Sequence, residues 1–334
     1  MSGTKPAKSG EDRLIERYFR PLARDPAALG LADDVALYSP PAGCELVLKT
    51  DAIVGGVHFL ADDPADAVAR KALRVNLSDL AAKGATPAGF LLALALPAEI
   101  GEEWLADFAR GLGADADAYG CPLLGGDTDR TPGPVTVSIA MIGHVPRGKM
   151  VRRSGAKAGD TVVVTGTIGD AALGLKLRRE PEHPALARLD RAAKMHLADR
   201  YLLPRPRLVV TDVLREFASA SIDISDGLAG DLAKLAAASG VGARIEAKAV
   251  PLSPAAWAAL AGDAALVETV LTGGDDYEIL ATVSPDRLAS FQAAAARAGV
   301  ELTAIGRIEA GEGIEVRDEH GRAIALARLS YSHF

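Results

Sequence analysis

Cysteine is nearly absent from this chain, which carries two, Cys44 and Cys121, in 334 residues. They lie far apart with no partners at metal-ligand spacing, so a disulfide framework and a cysteine-based zinc site are excluded, and both read as small buried hydrophobes. Aromatic residues are only 4% of the chain, which argues against a surface for stacking bases. Basic residues are outnumbered, 37 against 44 acidic ones. The resulting charge of −7 offers no basic face to neutralise phosphates, so a nucleic-acid partner is excluded. The longest apolar stretch, "GFLLALALPAEI", is far too short to span a bilayer, so no membrane partner is expected. The opening "MSGTKPAKSG" has no apolar core and does not read as a signal peptide, which points to a cytoplasmic protein. Phosphate-binding loops are missing as well. "GDAALGLKL" places Leu175 where a P-loop needs lysine, and neither a kinase glycine loop nor G-x-G-x-x-G occurs.

What is present is an ordinary globular composition, 49% apolar and 24% charged, in a chain long enough for two domains. Residues 1–10 read as a disordered tail. "EDRLIERYFRPLA" has helical periodicity, with Leu14, Ile15, Tyr18 and Phe19 on one side. "CELVLKTDAIV" is expected to be a buried strand, 64–85 a long helix closed by Gly84, and "GFLLALALP" a strand followed by an amphipathic helix. "CPLLGGDTDR" and "VTVSIAMIGHV" read as two further strands. Near "RGKMVRRSGAKAGD" the apolar pattern lapses, which divides the chain into an N-terminal domain, 11–148, and a C-terminal domain, 149–334. "TAIGRIE…IEVRDEHGRAI" looks like a terminal hairpin. Strands alternating with helices predict an α/β, or α+β layered, fold.

Four segments share one grammar, an apolar run that ends in aspartate among small residues. They are "ADDVAL", with Asp33 and Asp34; "LVLKTDAIVGGVHF", with Thr50, Asp51 and His58; "LLGGDTDR", with Gly126 and Asp127; and "IDISDG", with Asp223, Ser225 and Asp226. Asp79 adds a fifth acid inside a helix, on one face with Ala72, Val75 and Asn76. Singly, each is also a good helix cap or turn residue. Together they pose an electrostatic problem, because two carboxylates ~4 Å apart repel by roughly 4 kcal/mol at an effective dielectric near 20. Convergent strand ends of this kind require cations. Hard oxygen donors without a His/Cys cluster select Mg²⁺ or Mn²⁺ over zinc. Magnesium so held keeps positions for substrate phosphates, which points to a nucleotide bound chiefly through metal.

"ADDVAL", "TDAIVGGVHF", "KALRVNLSDLAAKGATP", "LLGGDTDR", "RSGAKAGDTVVVTGTIGDAALGL", "IDISDGLAGDL" and "TGGDDYEIL", in this order, resemble the thiamine-monophosphate kinases, within the wider aminoimidazole-ribonucleotide synthetase-like superfamily. The likeness runs from about residue 11 to "SYSHF". It implies an N-terminal α/β domain that pairs with its mate in a homodimer through sheet edges, a mixed-sheet C-terminal α/β domain, and ATP lying between the halves. By matching position it implies several Mg²⁺ ions on Asp34, Asp51, Asp79, Asp127 and Asp223, with Thr50 adding oxygen and Asp226 taking a further ion. Gly126, Asp127, Arg153 and Ser225 would touch ATP, while His58, Asp275 and Tyr331 would line the thiamine-phosphate site. Ala32 stands where the family usually has glycine, Lys49 where it often has a small hydroxyl residue, and Asp275 where it prefers glutamate.

The activity so implied is ATP-dependent phosphorylation of thiamine monophosphate to thiamine diphosphate by direct in-line transfer, with no covalent nucleophile and no dedicated base. A ligase of the aminoimidazole-ribonucleotide synthetase type, a metal-dependent phosphohydrolase and a non-catalytic nucleotide sensor are the alternatives. Glu278 reads as structural, and Gly273–Gly274 as either a tight turn or a close ligand approach.

Overall fold

Extended apolar segments build two sheets in a computed structural model that describes residues 9–331. Most of the expected tail, 1–8, and the final residues 332–334 lie outside the described residues. Ser9 caps a short helix, α1 (Gly10–Leu14), accepting from the Asp12 amide while Asp12 accepts from the Ser9 amide. The helix then widens into a π-turn over 15–19 that buries Tyr18 and Phe19 on the expected face.

The chain groups into two units, residues 1–76 with 87–144, and residues 77–86 with 145–334. In the first, β1 (Cys44–Val54), β2 (Thr86–Leu96), β3 (Leu123–Arg130) and β4 (Thr136–Pro146) form a sheet of order β1-β4-β2-β3. Helix α2 (Ala65–Ala82) precedes β2, and α3 (Glu102–Ala118) makes the crossover that lets β3 run parallel to β2. The Gly84 turn after α2 has φ +67°, as the expected stop at that glycine requires.

Two expectations fail here. β1 is not a buried strand, since it is a sheet edge with Leu46 and Leu48 47% and 71% exposed. An apolar run alone does not say whether a neighbouring strand or a second layer covers it. Asp51 and Asp127 do not end their strands either, because β1 and β3 continue past them. One polar residue facing outward every second position is compatible with a continuing ladder.

The second unit carries β5 (Thr161–Thr165), β6 (Ala220–Asp223), β7 (Gly242–Glu246), β8 (Ile279–Val283), β9 (Leu302–Glu309) and β10 (Ile314–Arg317), in the order β10-β7-β9-β5-β8-β6. Its helices are α4 (Asp170–Arg179), α5 (Pro184–Ala187), α6 (Arg191–Leu202), α7 (Thr211–Phe217), α8 (Leu228–Ser239), α9 (Pro254–Gly262), α10 (Leu266–Thr272) and α11 (Leu288–Arg297). The valine run of β5 shows why both faces are covered. Val162 and Val164 enter one apolar core with Ile222 and Leu280, and Val163 enters the other with Ile279 and Ala281. In the expected hairpin region β9 and β10 do not pair with each other, because β7 lies between them, antiparallel to the first and parallel to the second. The antiparallel return there is the tight one after β10, where the Ile324 amide donates to the Val316 carbonyl at 2.8 Å and Arg317 bridges Ala323. Short sequence separation favours direct pairing, but the main-chain edges of β9 and β10 both pair with β7. Among the described residues, no helix is long and apolar enough to cross a membrane.

Candidate active site

In the first unit, the bend carrying Asp33 and Asp34 and the strand carrying Gly126 and Asp127 border one cavity of about 610 Å³, shared with Phe19, Tyr38 and Leu91. Three of the predicted residues, Asp34, Gly126 and Asp127, therefore meet. The Asp34 amide donates to Asp33 Oδ1 at 2.8 Å, and the Thr128 amide to Asp127 Oδ1 at 3.0 Å. Gly126 is required by the sheet itself, since a Cβ there would stand 1.9 Å from the Leu92 carbonyl oxygen. That close approach accounts for the glycine without any ligand.

Thr50 and Asp51 are consecutive in β1, so their side chains point to opposite faces. Asp51 shares its face with Lys49, whose Nζ lies 3.0 Å from Asp51 Oδ1. The Asp51 amide donates to Asn76 Oδ1 at 3.0 Å, and Asn76 Nδ2 donates to the Ala72 carbonyl. The buried asparagine of the expected helix face has its partners. His58 closes the turn after β1, its Nδ1 accepting from the Val54 amide at 3.0 Å. In a neutral imidazole this leaves the proton on Nε2.

In the second unit, Asp223 ends β6 and is 4% exposed. The Ser78 hydroxyl donates to its Oδ2 at 2.8 Å, and Lys83 Nζ donates to the nearby Ser221 carbonyl at 2.6 Å. Burial pushes the Asp223 carboxyl well above the usual carboxylate range; the Asp79 carboxylate adds to this, against the Ser78 hydrogen bond. A buried carboxylate facing a second one calls for positive charge.

The next turn supplies its own. Asp231, wholly buried on α8, accepts through Oδ2 from the amides of Ser225 and Asp226 at 3.0 and 2.9 Å. Lys234 donates to Asp231 Oδ1 at 2.8 Å and also to Asp226 Oδ2. Its burial works against the ammonium charge, and the two carboxylates more than offset that, raising its pKa. Lysine thus serves two of the three aspartates in this segment. Its i,i+3 spacing from Asp231 on a helix was the sequence signal for the pair. Gly227, at φ +118°, is obligatory, because a Cβ would fall 2.6 Å from the Thr272 carbonyl.

The segment "GGDDYE" packs on this turn. The Asp275 amide donates to the Ser225 carbonyl at 2.9 Å, the Tyr277 amide to Ile224 at 2.8 Å, and the Ile224 amide to Glu278 at 2.8 Å. Asp275 and Tyr277 have left-handed backbones, φ +74° and +50°. Such strain costs of order 1–3 kcal/mol per residue and persists only where the surroundings impose it. Between them, fully buried Asp276 accepts from the Gly169 amide at 2.8 Å; burial pushes its carboxyl well up. The Tyr331 amide donates to the Asp226 carbonyl at 3.0 Å, and Ser330 fits against Gly230, where a Cβ would stand 2.3 Å from the serine Cβ. Asp223, Ser225, Asp226, Asp275 and Tyr331 are brought together around two turns. Arg153 is exposed, and its carbonyl accepts from Ser239 Oγ at 3.4 Å. Among the described residues, no three His, Cys, Asp or Glu side chains are close enough to hold one cation.

Cys121 fits its reading as a hydrophobe, since burial pushes its thiol up to about 12.

The N-terminal domain of AIR synthase related proteins matches residues 32–145, and the C-terminal domain of the same family matches residues 157–319. A thiamine-monophosphate kinase of Caulobacter vibrioides is 43% identical over 323 residues, 96% of this chain and 89% of the relative. The crystal structure of the thiamine-monophosphate kinase from Stenotrophomonas maltophilia K279a is 41% identical, covers 94% of this chain and 96% of its own, and superposes with a TM-score of 0.81. AaThiL, solved in complex with AMPPCP and TMP, is 32% identical with a TM-score of 0.77 and covers 89% of each chain.

Proposed function

Because the chain belongs to the AIR synthase related family and, within it, to the thiamine-monophosphate kinases, we propose that it transfers the γ-phosphoryl group of ATP to thiamine monophosphate in a Mg²⁺-dependent reaction. The product is thiamine diphosphate. The observation that carries the metal dependence is Asp223, a buried carboxylate whose charge is opposed both by burial and by Asp79. Oxygen donors of this kind suit Mg²⁺, so the residues present fit the ion the family implies. Asp34, Asp51, Asp79, Asp127 and Asp223 would be shared among several such ions, with Thr50 contributing oxygen and Asp226 serving a further ion. When bound, Mg²⁺ would neutralise charge on the phosphates of donor and acceptor.

The chain's own groups then bind and orient. Gly126, Asp127, Arg153 and Ser225 receive ATP. His58, with its Nδ1 occupied by the Val54 amide, presents an Nε2–H donor suited to the acceptor phosphate. Asp275 balances the thiazolium charge or accepts from the aminopyrimidine, and Tyr331 packs on a ring. The acceptor phosphate is already ionised near neutral pH, so no side chain need act as general base, and transfer is direct and in line. These roles divide between an N-terminal domain, 11–148, and a C-terminal domain, 149–334. The exposed Leu46 and Leu48 on the β1 edge support a homodimer formed there. The reading also places the protein in the cytoplasm, where ATP is the phosphoryl donor.

The test is incubation with ATP and Mg²⁺, with and without thiamine monophosphate. Thiamine diphosphate formed only with acceptor is the expected result. Phosphate release independent of acceptor would make the protein a phosphohydrolase, ATP-driven ring closure of an amidine substrate a ligase of the aminoimidazole-ribonucleotide synthetase type, and binding without turnover a sensor.

A further inference from the structure

Directly behind the strained "GGDDYE" segment lies a buried charge cluster. Glu278 is completely buried, yet it accepts from Arg207 Nε and Nη2 at 2.6 and 2.5 Å, from Arg200 Nη2 at 3.0 Å and from the Thr165 hydroxyl at 2.7 Å. Arg200, 2% exposed, uses the same nitrogen to reach the Asp276 carbonyl at 3.0 Å. Thr165 in turn accepts from the Ile279 amide at 2.8 Å. Space for the cluster is kept by Gly166, where a Cβ would stand 2.4 Å from Glu278 Oε1 and 2.5 Å from Arg207 Nη2. In front, a Cβ at Gly274 would stand 2.4 Å from the Ser225 carbonyl oxygen.

Two arginines on one carboxylate are far more than is needed to bury a glutamate. They come from chain segments on either side of 203–206 and fasten the main chain at Asp276 and the side chain at Glu278. Those are the residues beside the two left-handed ones, Asp275 and Tyr277. A bidentate arginine fork fixes direction as well as distance.

We propose that Arg207 and Arg200, through Glu278, are positioning residues that hold 274–277 in its left-handed course and thereby set where the Asp275 carboxylate meets the acceptor. The inference rests on Asp275 serving the acceptor, as argued above. A cluster that served the core alone would affect both substrates or neither.

Wild-type turnover of thiamine monophosphate is measured first; its absence refutes the functional reading and takes this inference with it. Arg207→Lys then keeps the charge and loses the fork. Its KM for thiamine monophosphate should rise about 10-fold or more, because small displacements of a positioning group are costly, while the KM for ATP stays within about twofold. In the Arg207→Lys/Asp275→Asn double variant, the acceptor KM should equal that of Asp275→Asn alone, since a residue acting through another adds nothing once that one is removed. Additive effects, or equal rises for ATP and acceptor, overturn the proposal. If Arg207→Lys does not fold by circular dichroism, Glu278→Asp, which keeps charge and shortens reach, carries the same comparison. Failure of both to fold makes the cluster a folding element and overturns it too.

Discussion

Replacing Asp223 by asparagine removes a negative charge from a side chain only 4% exposed while keeping an oxygen for the Ser78 hydroxyl. In cation-free protein the change should stabilise. An unfolded aspartate titrates near ~3.9, and in the fold Asp223 titrates well above that because of burial and Asp79. Between those two values the folded chain keeps a proton that the unfolded chain has lost. Stability therefore falls as pH rises through this window and stays reduced above the folded value.

The penalty for burying one ion is several kcal/mol, and the hydrogen bond to a charged acceptor offsets roughly 1.5–3 kcal/mol of it. The variant should gain about 1–3 kcal/mol near neutral pH. For a cooperative unit of ~150–250 residues that is about 2–12 °C in Tm. Thermal unfolding in EDTA at about pH 7.5 and about pH 4 measures it; the gain should be present at the first and nearly gone at the second. Added Mg²⁺ should raise the wild-type Tm and move the variant much less, while kinase turnover of the variant collapses. A variant less stable than wild type in EDTA at neutral pH, or equally stabilised at both pH values, would refute the reasoning.

Asp79→Asn should act in the same direction on metal-free stability, since it relieves the same repulsion from the other side; a large loss would instead mean that Asp79 serves a buried partner. Asp231→Ala removes the acceptor of two amides and a lysine, so it should cost about 2–4 kcal/mol in urea unfolding, and a neutral result would show that the turn folds without it. Among the described residues of the candidate site no serine, cysteine or histidine stands out as a phosphoryl-accepting nucleophile, so chiral γ-labelled ATP should give inversion at phosphorus; retention would establish a phospho-enzyme. Asp275→Asn and Tyr331→Ala should raise the KM for thiamine monophosphate and spare that for ATP, with Asp275→Glu tolerated. Parallel changes for both substrates would show the pocket to be elsewhere.

Much of the element order was legible because apolar period and breakers are local. The 44–54 strand, the helix stopped at Gly84 and the valine run at 162–164 all carry their structure in neighbours a few residues away. The failures share a cause. Whether β1 is buried, and whether β9 pairs with β10 or with β7, depends on segments remote in sequence. The acidic grammar located Asp34, Asp127, Asp223 and Asp226 where turns and cavities form, but it did not distinguish a strand end from an outward-facing strand residue, as at Asp51.

By itself, the sequence determined the family, through motif order, and narrowed the chemistry by what it lacks, a thiolate cluster and a P-loop. What tertiary structure alone decided is how each charge is met. Lys234 serving Asp231 could be sought within one helix turn, whereas its contact with Asp226, eight residues before it, needs the turn ahead of α8. The closure of Arg207 on Glu278, 71 residues away, leaves no local trace. A buried charge specifies only that a partner must exist, because desolvation is the same whichever residue relieves it. Which partner arrives is set by the sheet order that carries β8, with Glu278 just before it, past β5 and the segment after α6.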